Sequence, residues 1–440
     1  MLFGTDGIRG VVDKEINSNM AYDIGKGLAI YLIEHNYRNT VLIGGDTRVS
    51  TDCYIASITS GLLDYGINVD IVGVVSTPMI SFLVNRMEYS AGIMITASHN
   101  DYTYNGIKVF NSYGEKADAL MENEIENNIS KSIPIIEKGK MTFNNNLVNK
   151  YEDYLYKKFI NKIDNLKIVL DCANGSNYDI APRILNKLGV SVVKKDCSNN
   201  GVKINENCGA NHIENLVEIV KESSADFGIA FDGDGDRLRV VLKNGKVLDG
   251  DDLLYLFATY IKENTNYKLD RICGTIMTNC GLDKSLKSKN IKVERSNVGD
   301  KNLVDLMKKN SIILGGESSG HICFLHYIPS CDALYNAMYF LKCCKFFNDR
   351  IYKIIEEKIT FNSVTFNIKV DENFRKFFDN NIELKNKINK ICIDNKSAKI
   401  IVRPSGTEPI IRIYVESENY KNNNKIMQKI QEIIKSEQLL

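Results

Sequence analysis

The sequence predicts an α/β protein: three similar α/β domains with mixed, mostly parallel β-sheets, followed by a smaller C-terminal α+β domain. Aliphatic runs that end in polar loops recur three times in the same order, and the segments between them have helical spacing. Residues from about 360 onward lack this unit and carry short β-branched runs before a Lys- and Ile-rich helical segment. We place the domains at residues 1–146, 147–247, 248–358 and 359–440.

The three repeated units begin at aliphatic runs that start with Val41, Ile168 and Ile272, and each pattern is typical of strand, helix, strand. Each unit ends in a third aliphatic run that leads into a glycine-containing polar loop. Because parallel sheets place ligand sites beyond the carboxyl ends of their strands, we expect these loops to carry the function. The three final runs are AGIMITASHN, ADFGIAFDGDGDR and SIILGGESSGH.

Composition excludes several classes of protein. The chain has 440 residues, 44% of them hydrophobic, and 56 Lys+Arg against 55 Asp+Glu give a net charge of +1. It is therefore neither disordered nor basic like a nucleic-acid-binding protein, and no run approaches the roughly 18 apolar residues of a membrane span. The N-terminus does not resemble a secretory signal. The 11 cysteines form no C-x-x-C pair, which argues against disulfides and a cysteine zinc site and indicates a reducing cytoplasm.

The loop after the second of these final runs places three carboxylates at alternate positions, those of Asp232, Asp234 and Asp236. On a turning loop they can converge on one hard cation. A calcium EF-hand is excluded, because its sixth and twelfth positions would be Arg237 and Lys243 instead of Gly and Glu. Magnesium fits better, since Mg²⁺ typically takes a few carboxylates and a phosphate oxygen. The alternative is an acidic turn in solvent.

The loop after the first final run brings a hydroxyl, an imidazole and an amine into one short segment, with Ser98, His99 and then Lys108. A serine alone is a weak nucleophile, so the pair Ser98 and His99 is equally typical of a capping turn. Beside an acidic metal-binding loop, the same serine becomes a phosphate carrier whose charge the cation neutralises. Both interpretations remain open from the residues alone.

The loop after the third final run contains Gly316, Ser318 and Gly320, which match the G-x-S-x-G elbow of serine hydrolases. An elbow must lead from a strand into a helix, whereas this loop is followed by ICFLHYIPS, which is typical of a strand. We therefore disfavour the hydrolase. The neighbouring polar side chains suit hydrogen bonding to a polyhydroxyl ligand; they are those of Glu317, Ser319 and His321.

Basic residues accumulate in the C-terminal domain, where RPSGTEP from Arg403 is followed by Arg412. Guanidinium groups, hydroxyls and turn N–H groups together form a cradle for phosphate. The alternative is a surface turn that happens to hold two arginines. Near the N-terminus, Arg9 and Arg48 are candidates either for anion binding or for structural pairing.

Five motifs in order, FGTDGIRG, TASHN with NGIK, DGDGDR, GGESSGH and RPSGTEP, span essentially the whole chain. Their ordered set resembles the α-D-phosphohexomutase family, and most of all those members that act on glucosamine phosphate. The resemblance implies four domains around a central cleft, with a phosphoserine loop, a metal-binding loop, a sugar-binding loop and a phosphate-binding loop in that order. Departures from the family pattern are Asp101, Lys301 and Ser318, and the last of these bears on sugar preference.

The resemblance implies an isomerase that carries a phosphate on Ser98 and passes it to a sugar monophosphate through a bisphosphorylated sugar, which also serves as activator. One Mg²⁺ would be held by the phosphate on Ser98 and the three aspartates. Catalytic roles would fall to Ser98, Lys108, Arg9, His99 and Arg237. Substrate binding would fall to Glu317, Ser319, His321, Arg403, Ser405, Gly406, Thr407 and Arg412.

The expected reaction is the interconversion of glucosamine 6-phosphate and glucosamine 1-phosphate, which feeds UDP-N-acetylglucosamine and cell-wall synthesis. The alternative is a phosphomannomutase or phosphoglucomutase activity of the same family. FGTDGIRG and the segment that starts at Asn205 favour glucosamine 6-phosphate. The implied partners are the hexosamine phosphate and a second copy of the chain in a homodimer, with no nucleic acid and no membrane.

Overall fold

The computed structural model describes residues 2–4, 6–134, 137–405 and 409–438. The chain divides into two compact units. The first comprises Met1–Thr278 with Ile291–Ile355, and the second comprises Asn279–Asn290 with Glu356–Leu440. A search of the described residues finds no helix that is both long and apolar enough to cross a bilayer.

The first sheet of the first unit has six strands in the order β1-β5-β4-β2-β3-β6. The pairs β2–β3, β2–β4 and β3–β6 are parallel, whereas β5 runs antiparallel to β4 and to β1. Every residue of β4 is buried, as its unbroken apolar run predicts. The elements are β1 Ile8–Val11, α1 Ser18–Glu34, β2 Thr40–Gly45, α2 Thr51–Asp64, β3 Asn68–Val74, α3 Thr77–Met87, β4 Ala91–Ile95, β5 Tyr104–Asn111, α4 Ala119–Asn128 and β6 Met141–Phe143.

The second sheet has five strands in the order β11-β10-β9-β7-β8. Here β7 is parallel to β8 and β9, and the hairpin strands β10 and β11 are antiparallel. The elements are α5 Asn146–Phe159, β7 Lys167–Asp171, α6 Ile180–Lys187, β8 Ser191–Lys195, α7 Glu214–Glu222, β9 Phe227–Phe231, β10 Leu238–Leu242 and β11 Val247–Leu248, with short 3₁₀ turns at Gly201–Lys203 and Gly209–Asn211.

The third sheet has four strands in the order β13-β12-β14-β15, with β12 parallel to β13 and β14 and with β15 antiparallel to β14. The elements of this region are α8 Gly250–Asn264, β12 Arg271–Thr275, α9 Cys280–Lys287, β13 Lys292–Ser296, α10 Asp300–Lys309, β14 Leu314–Gly316, β15 Ile322–Phe324, α11 Ala333–Phe347 and α12 Arg350–Glu357. Helix α9 belongs to the second compact unit. There the backbone N–H of Ile359 donates to Ser285 Oγ at 2.7 Å.

The second unit contains an antiparallel sheet in the order β16-β18-β17. Its core lies between this sheet and the long C-terminal helix, where Ile411, Ile413 and Val415 of the central strand pack in one cluster with Ile430 and Ile434. The elements are β16 Asn362–Lys369, α13 Glu372–Phe377, a 3₁₀ turn Phe378–Asn380, α14 Ile382–Asp394, β17 Lys399–Pro404, β18 Ile410–Ser417 and α15 Tyr420–Gln438.

The predicted fold class is confirmed, with three α/β repeats and a smaller C-terminal α+β region. In each repeat the third parallel strand turns back into an antiparallel neighbour, so the three motif loops lie in equivalent hairpins, β4–β5, β9–β10 and β14–β15. The loop with the G-x-S-x-G pattern therefore connects two strands, which is not the strand-to-helix turn of a hydrolase elbow.

Candidate active site

Three loops of the first unit meet in one place. The serine loop (residues 96–100) follows β4, the acidic loop (residues 232–237) follows β9, and the glycine-rich loop (residues 315–321) overlaps the end of β14. The Ser98 hydroxyl donates to Asp232 Oδ2 at 3.0 Å, and His321 Nε2 lies 3.0 Å from Asp236 Oδ1. The acidic loop thus contacts both of the other loops.

Ser98 has a left-handed backbone with φ +51°. This conformation costs a non-glycine residue roughly 1–2 kcal/mol, so surrounding contacts must hold it. The N–H of Ser98 donates to Thr96 Oγ1 at 2.9 Å, and the Thr96 hydroxyl donates to the buried Asp46 at 2.6 Å. The Ser98 hydroxyl consequently lies between the Asp232 carboxylate and His99, whose Nδ1 is 3.3 Å from Oγ.

His99 is held as a neutral imidazole. Burial, together with the positive charges of Arg237 and Arg9, lowers the pKa of His99 to about 4. At pH 7 one ring nitrogen is then free of its proton and can accept a hydrogen bond from the serine hydroxyl. His99 therefore contacts the serine without adding a positive charge to the site.

The acidic loop gathers its three carboxylates as the sequence predicts. Ligand atoms of Asp232, Asp234 and Asp236 lie within 4.8 Å of one another, and the side chains are buried. Burial, and then the charges of the other two aspartates, raise the pKa of Asp232 well above its ordinary value. Among the described residues, Asp234 Oδ1 has no hydrogen-bond partner. Three carboxylates that lie close together, with one oxygen not used in a hydrogen bond, form a set of ligands that fits a hard divalent cation such as Mg²⁺.

Lys108 enters this cluster from β5. Its ammonium lies 2.9 Å from Asp234, 3.0 Å from Asp6 and 3.7 Å from Asp236. Burial opposes the charge on Lys108, but these three carboxylates raise its pKa well above the ordinary value. In this state the ammonium can donate a proton or neutralise charge, and it has no lone pair with which to accept one.

Asp6 is a member of the cluster that the sequence analysis missed, although it lies inside the FGTDGIRG motif. It contacts Lys108, Lys116 and Arg9. Burial alone would raise the pKa of Asp6, but these three cations hold it below its ordinary value. Lys116 also forms an ion pair with Asp300 at 2.8 Å. Arg9 also donates to the side chain of Asn100 at 3.2 Å, so it contacts the serine loop directly.

The glycine-rich loop joins the acidic loop through His321. Its Nδ1 lies 2.8 Å from Glu317 and its Nε2 lies 3.0 Å from Asp236. Burial opposes protonation, but these carboxylates raise the pKa of His321 to about 10. The ring is therefore an imidazolium that donates from both nitrogens, so the 3.1 Å approach of Arg237 Nε to Nε2 brings two cations together. Asp232, 3.8 Å from Arg237, lies beside this pair of charges.

The predicted sugar-binding side chains differ in what they already contact. One carboxylate oxygen of Glu317 accepts from the backbone N–H of Gly299 at 2.9 Å, and the other faces His321. The Ser319 hydroxyl is buried and has no partner among the described residues. Ser319 is thus the hydroxyl of this loop with its hydrogen-bonding capacity most open to a ligand, whereas Glu317 would have to share its oxygens.

The arginine pair (Arg403 and Arg412) lies in the second unit. These residues are directly opposite each other on β17 and β18. Burial and the charge of Arg412 lower the pKa of Arg403. Arg412 Nη2 lies 3.5 Å from Ser405 Oγ, and Arg375, which the sequence analysis missed, donates to the Ser405 carbonyl at 2.6 Å. The predicted Gly406 and Thr407 lie outside the described residues.

Arg48, for which anion binding and structural pairing were both open, is a structural residue. Its side chain is fully buried and its Nε lies 3.0 Å from Asp46. Its other nitrogens donate to carbonyl groups of the serine loop and of the residues that follow it. All three nitrogens of the Arg48 guanidinium group therefore donate hydrogen bonds inside the protein.

Comparison with known protein families gives four matches in chain order. They are the phosphoglucomutase/phosphomannomutase alpha/beta/alpha domain I over residues 1–134, domain II over 149–245, domain III over 249–360 and the C-terminal domain over 366–433. Together these matches cover most of the chain.

Individual proteins resemble the whole chain. The chain is 35% identical to a phosphoglucosamine mutase of Caldicellulosiruptor bescii, with 99% of both chains covered. It is 38% identical to that of Dictyoglomus turgidum, with 94% of both covered. A solved structure of a phosphoglucomutase/phosphomannomutase family protein from Burkholderia thailandensis has a TM-score of 0.83 at 21% identity, covering 99% of this chain and 97% of that one. The Aspergillus fumigatus N-acetylphosphoglucosamine mutase, solved with GlcNAc-6P and magnesium, has a TM-score of 0.68 at 14% identity, covering 100% and 96%.

Proposed function

This chain belongs to the phosphoglucomutase/phosphomannomutase family, and we propose that it is an isomerase that interconverts glucosamine 6-phosphate and glucosamine 1-phosphate. The observation that carries this proposal is the Ser98 hydroxyl, held 3.0 Å from one of three clustered, buried aspartates. The choice of sugar is supported by relatives 34–38% identical over 94–99% of the chain, all named phosphoglucosamine mutase.

The reaction proceeds in two phosphoryl transfers. In the first, the bond from phosphorus to Ser98 Oγ breaks while the free hydroxyl oxygen of the sugar monophosphate bonds to phosphorus. The sugar hydroxyl gives up its proton and Ser98 Oγ regains one, so no net charge is made. In the second, the phosphate at the other position of the bisphosphorylated sugar returns to Ser98, and the isomeric monophosphate leaves. A bisphosphorylated sugar added from outside also primes an enzyme that has lost its phosphate.

The three aspartates, together with an oxygen of the phosphate on Ser98, would hold one Mg²⁺. Bound there, the ion supplies neutralisation of the charge on the transferred group. The all-oxygen composition of the set and the unpartnered Asp234 Oδ1 within the described structure support this choice. A magnesium ion is also present in the solved relative from Aspergillus fumigatus.

Positive side chains around Ser98 manage charge and protons during the transfer. Arg237 lies beside Asp232 and offsets negative charge on the transferred group. Lys108, which is held as an ammonium, gives a proton to Ser98 Oγ and takes up the proton that the sugar hydroxyl loses, so it ends the first transfer as an ammonium again. Arg9 contacts the serine loop through Asn100, and neutral His99 lies with its Nδ1 3.3 Å from Ser98 Oγ without adding a positive charge.

Two sets of residues bind the substrate. Sugar hydroxyls that occupy equivalent positions in both orientations of the substrate are bound by Glu317, Ser319 and His321. The phosphate that is not reacting is bound by a second set, which includes the like-charged arginine pair. That set is Arg403, Ser405, Gly406, Thr407 and Arg412.

We extend the proposal to the organisation of the molecule. The domains run over residues 1–146, 147–247, 248–358 and 359–440, and the matched family segments fall at similar places. The enzyme works as a homodimer in the reducing cytoplasm, which suits cysteines that all carry free thiols.

A comparison of three substrates tests the proposed function. Purified enzyme with Mg²⁺ and a trace of bisphosphorylated sugar is assayed for kcat/KM on the 6-phosphates of glucosamine, glucose and mannose. We expect glucosamine 6-phosphate to give the largest value. A larger value for glucose or mannose phosphate would instead assign the alternative activity of the same family. Inactivity toward all three would contradict a phosphohexomutase.

The same assay is run on the variant Ser98→Ala, which lacks the nucleophilic oxygen. Ser98 is buried and the substitution removes one oxygen, so the fold should survive. We expect activity to fall by more than about 10³-fold and the intact mass to show no bound phosphate, because the nucleophile is gone. An alanine variant with wild-type turnover would contradict the phosphoserine mechanism.

A further inference from the structure

Two carbonyl groups of the serine loop, those of Ser98 and Asn100, are anchored from two directions. Arg48 Nη2 donates to both, at 3.0 and 2.8 Å. Asn205 Nδ2 also donates to both, at 2.9 and 2.8 Å. A carboxamide NH₂ has two hydrogens, so Asn205 commits its whole donor capacity to the backbone of this one loop.

Asn205 and Arg48 lie in different parts of the first unit. Arg48 follows β2 of the same sheet that carries the serine loop, whereas Asn205 lies between β8 and β9 of the second sheet. Its N–H donates to the carbonyl of Ala173 at 3.0 Å, which fastens it to the loop after β7. Asn205 therefore joins the serine loop of one sheet to the framework of the sheet that carries the acidic loop.

The carboxamide also lies against the acidic loop. A Cβ added at Gly233 would be 2.7 Å from Asn205 Nδ2 and 2.7 Å from the Ser98 carbonyl oxygen. The backbone of the acidic loop, the amide of Asn205 and the backbone of the serine loop are thus in direct contact, with no room for a side chain at position 233. The Asn205 amide therefore lies at the contact between the two loops.

We propose that Asn205 is a positioning residue for phosphoryl transfer, which fixes the distance between Ser98 and the aspartates of the acidic loop. This inference rests on the proposed function. Ser98 holds a strained backbone at φ +51°, and its oxygen must keep one position through both transfers. Misplacement of reacting groups by about 1 Å can cost on the order of 10²-fold in rate. Asn205 acts through the loop backbone, because both hydrogens of its carboxamide are donated there.

The test uses the full-length enzyme with Asn205→Gly. Asn205 itself has φ +58°, which glycine adopts without strain, so this change removes the carboxamide and leaves the backbone conformation accessible. The matched control is Asn161→Gly, at an exposed asparagine with the same φ of +58°. Both variants are assayed for kcat, KM, thermal unfolding and the rate at which a bisphosphorylated sugar phosphorylates Ser98, followed by intact mass.

We expect Asn205→Gly to lower kcat and the phosphorylation rate together, by about 10- to 100-fold, with KM within about threefold of wild type. Asn161→Gly should match wild type in all of these measurements. A kcat equal to that of the control, or a loss that appears as a raised KM with kcat unchanged, would overturn the inference.

If Asn205→Gly is unfolded at the assay temperature, the variant Asn205→Asp is assayed in its place. Aspartate keeps the shape and tolerates the left-handed backbone, but its carboxylate faces two carbonyl oxygens and cannot donate to them. The expected result is again a loss of kcat with KM retained, and wild-type kcat or failure of this variant to fold would refute a positioning role. A wild-type enzyme that never acquires phosphate on Ser98 would refute the proposed function instead.

Discussion

The acidic loop in the first unit and the arginine pair in the second treat charge in opposite ways. Around the acidic loop, the aspartates are compensated within the protein by Lys108 and His321. On β17 and β18, Arg403 and Arg412 face each other with like charge. The first region pairs opposite charges, whereas in the second region burial and the charge of Arg412 lower the pKa of Arg403. A site that repeatedly transfers one group needs a fixed centre, and a substrate that must bind in two orientations needs a more general attraction for phosphate.

The largest effect is expected from Asp234→Asn, which removes one of the three negative charges of the acidic loop. Asp234 accepts from Lys108 and Thr77 and keeps one oxygen without a partner among the described residues. We expect kcat to fall about 10²- to 10³-fold, as when one electrostatic contributor to a transition state is removed, and Mg²⁺ dependence to shift to higher concentration. Steady-state kinetics across a Mg²⁺ titration measures both.

The control for that substitution is Asp196→Asn in the other acidic cluster of the first unit. Asp171, Asp196 and Cys208 also lie close together, and Lys195 forms ion pairs with both carboxylates, but this cluster lies outside the three loops that meet at Ser98. This variant should keep wild-type kcat and Mg²⁺ dependence. Equal losses in both variants would mean that the acidic loop has no special role.

The second prediction concerns the arginine pair. Arg412→Lys keeps the charge but loses the planar fork that binds phosphate through two hydrogen bonds. We expect KM for the sugar monophosphate to rise about 10- to 100-fold, since one charge-assisted hydrogen bond contributes about 1.5–3 kcal/mol, while kcat changes by less than about threefold. Arg183→Lys, at a half-exposed arginine of the first unit, is the control. A drop in kcat with KM unchanged would place Arg412 in the chemical step instead.

Ligand-linked stability gives the third prediction. Mg²⁺ at about 100 times its Kd should stabilise the wild type by about 2.7 kcal/mol, which raises Tm by a few degrees. Asp234→Asn should lose most of this shift. Inorganic phosphate should also raise the wild-type Tm, and that shift should be reduced in Arg412→Lys but kept in Asp234→Asn. Thermal unfolding of the three proteins with each ligand measures these changes in Tm. Identical Tm shifts in all three proteins would contradict separate binding of Mg²⁺ at the acidic loop and of phosphate at the arginine pair.

The smallest effect concerns pH. Because Asp236 and Glu317 raise the pKa of His321 from 6.5 to about 10, against the effect of burial, its charge stabilises the folded state fully below about pH 6.5. That contribution is lost as pH rises through about 10. In chelator, the stability difference between wild type and His321→Gln should therefore shrink between pH 7 and pH 10. Denaturant unfolding at several pH values measures it, and a constant difference would contradict the charged imidazole.

The sequence predicted the fold class because its signals are local: aliphatic runs, helical spacing and glycine-containing loops recur three times. The residues with local motifs, such as Ser98 and the aspartates of the acidic loop, were found for the same reason. Asp6, Lys116 and Asn205 were not singled out for the site, since each is a single polar residue whose partners lie elsewhere in the chain. Lys116 reaches Asp300, for example, 184 positions away. Such contacts follow from how the sheets pack, which no short pattern encodes.

Glu317 illustrates a second limit. A carboxylate in a glycine-rich loop suggests a ligand contact, yet its two oxygens face Gly299 and His321 in the folded chain. A motif specifies which groups are near a site, but it does not tell which of their hydrogen bonds the protein itself uses. The roles assigned to the individual site residues accordingly stay predictions.

The most direct test of a phosphoserine mutase follows the phosphate itself. Enzyme labelled with radioactive phosphate on Ser98 is mixed with excess unlabelled glucosamine 6-phosphate and Mg²⁺, and a single turnover is quenched and separated. The account predicts that label leaves the protein and appears in the bisphosphorylated sugar and then in glucosamine 1-phosphate, while Ser98 carries unlabelled phosphate. Label that stays on the protein while glucosamine 1-phosphate forms, or that is released as inorganic phosphate, would contradict it.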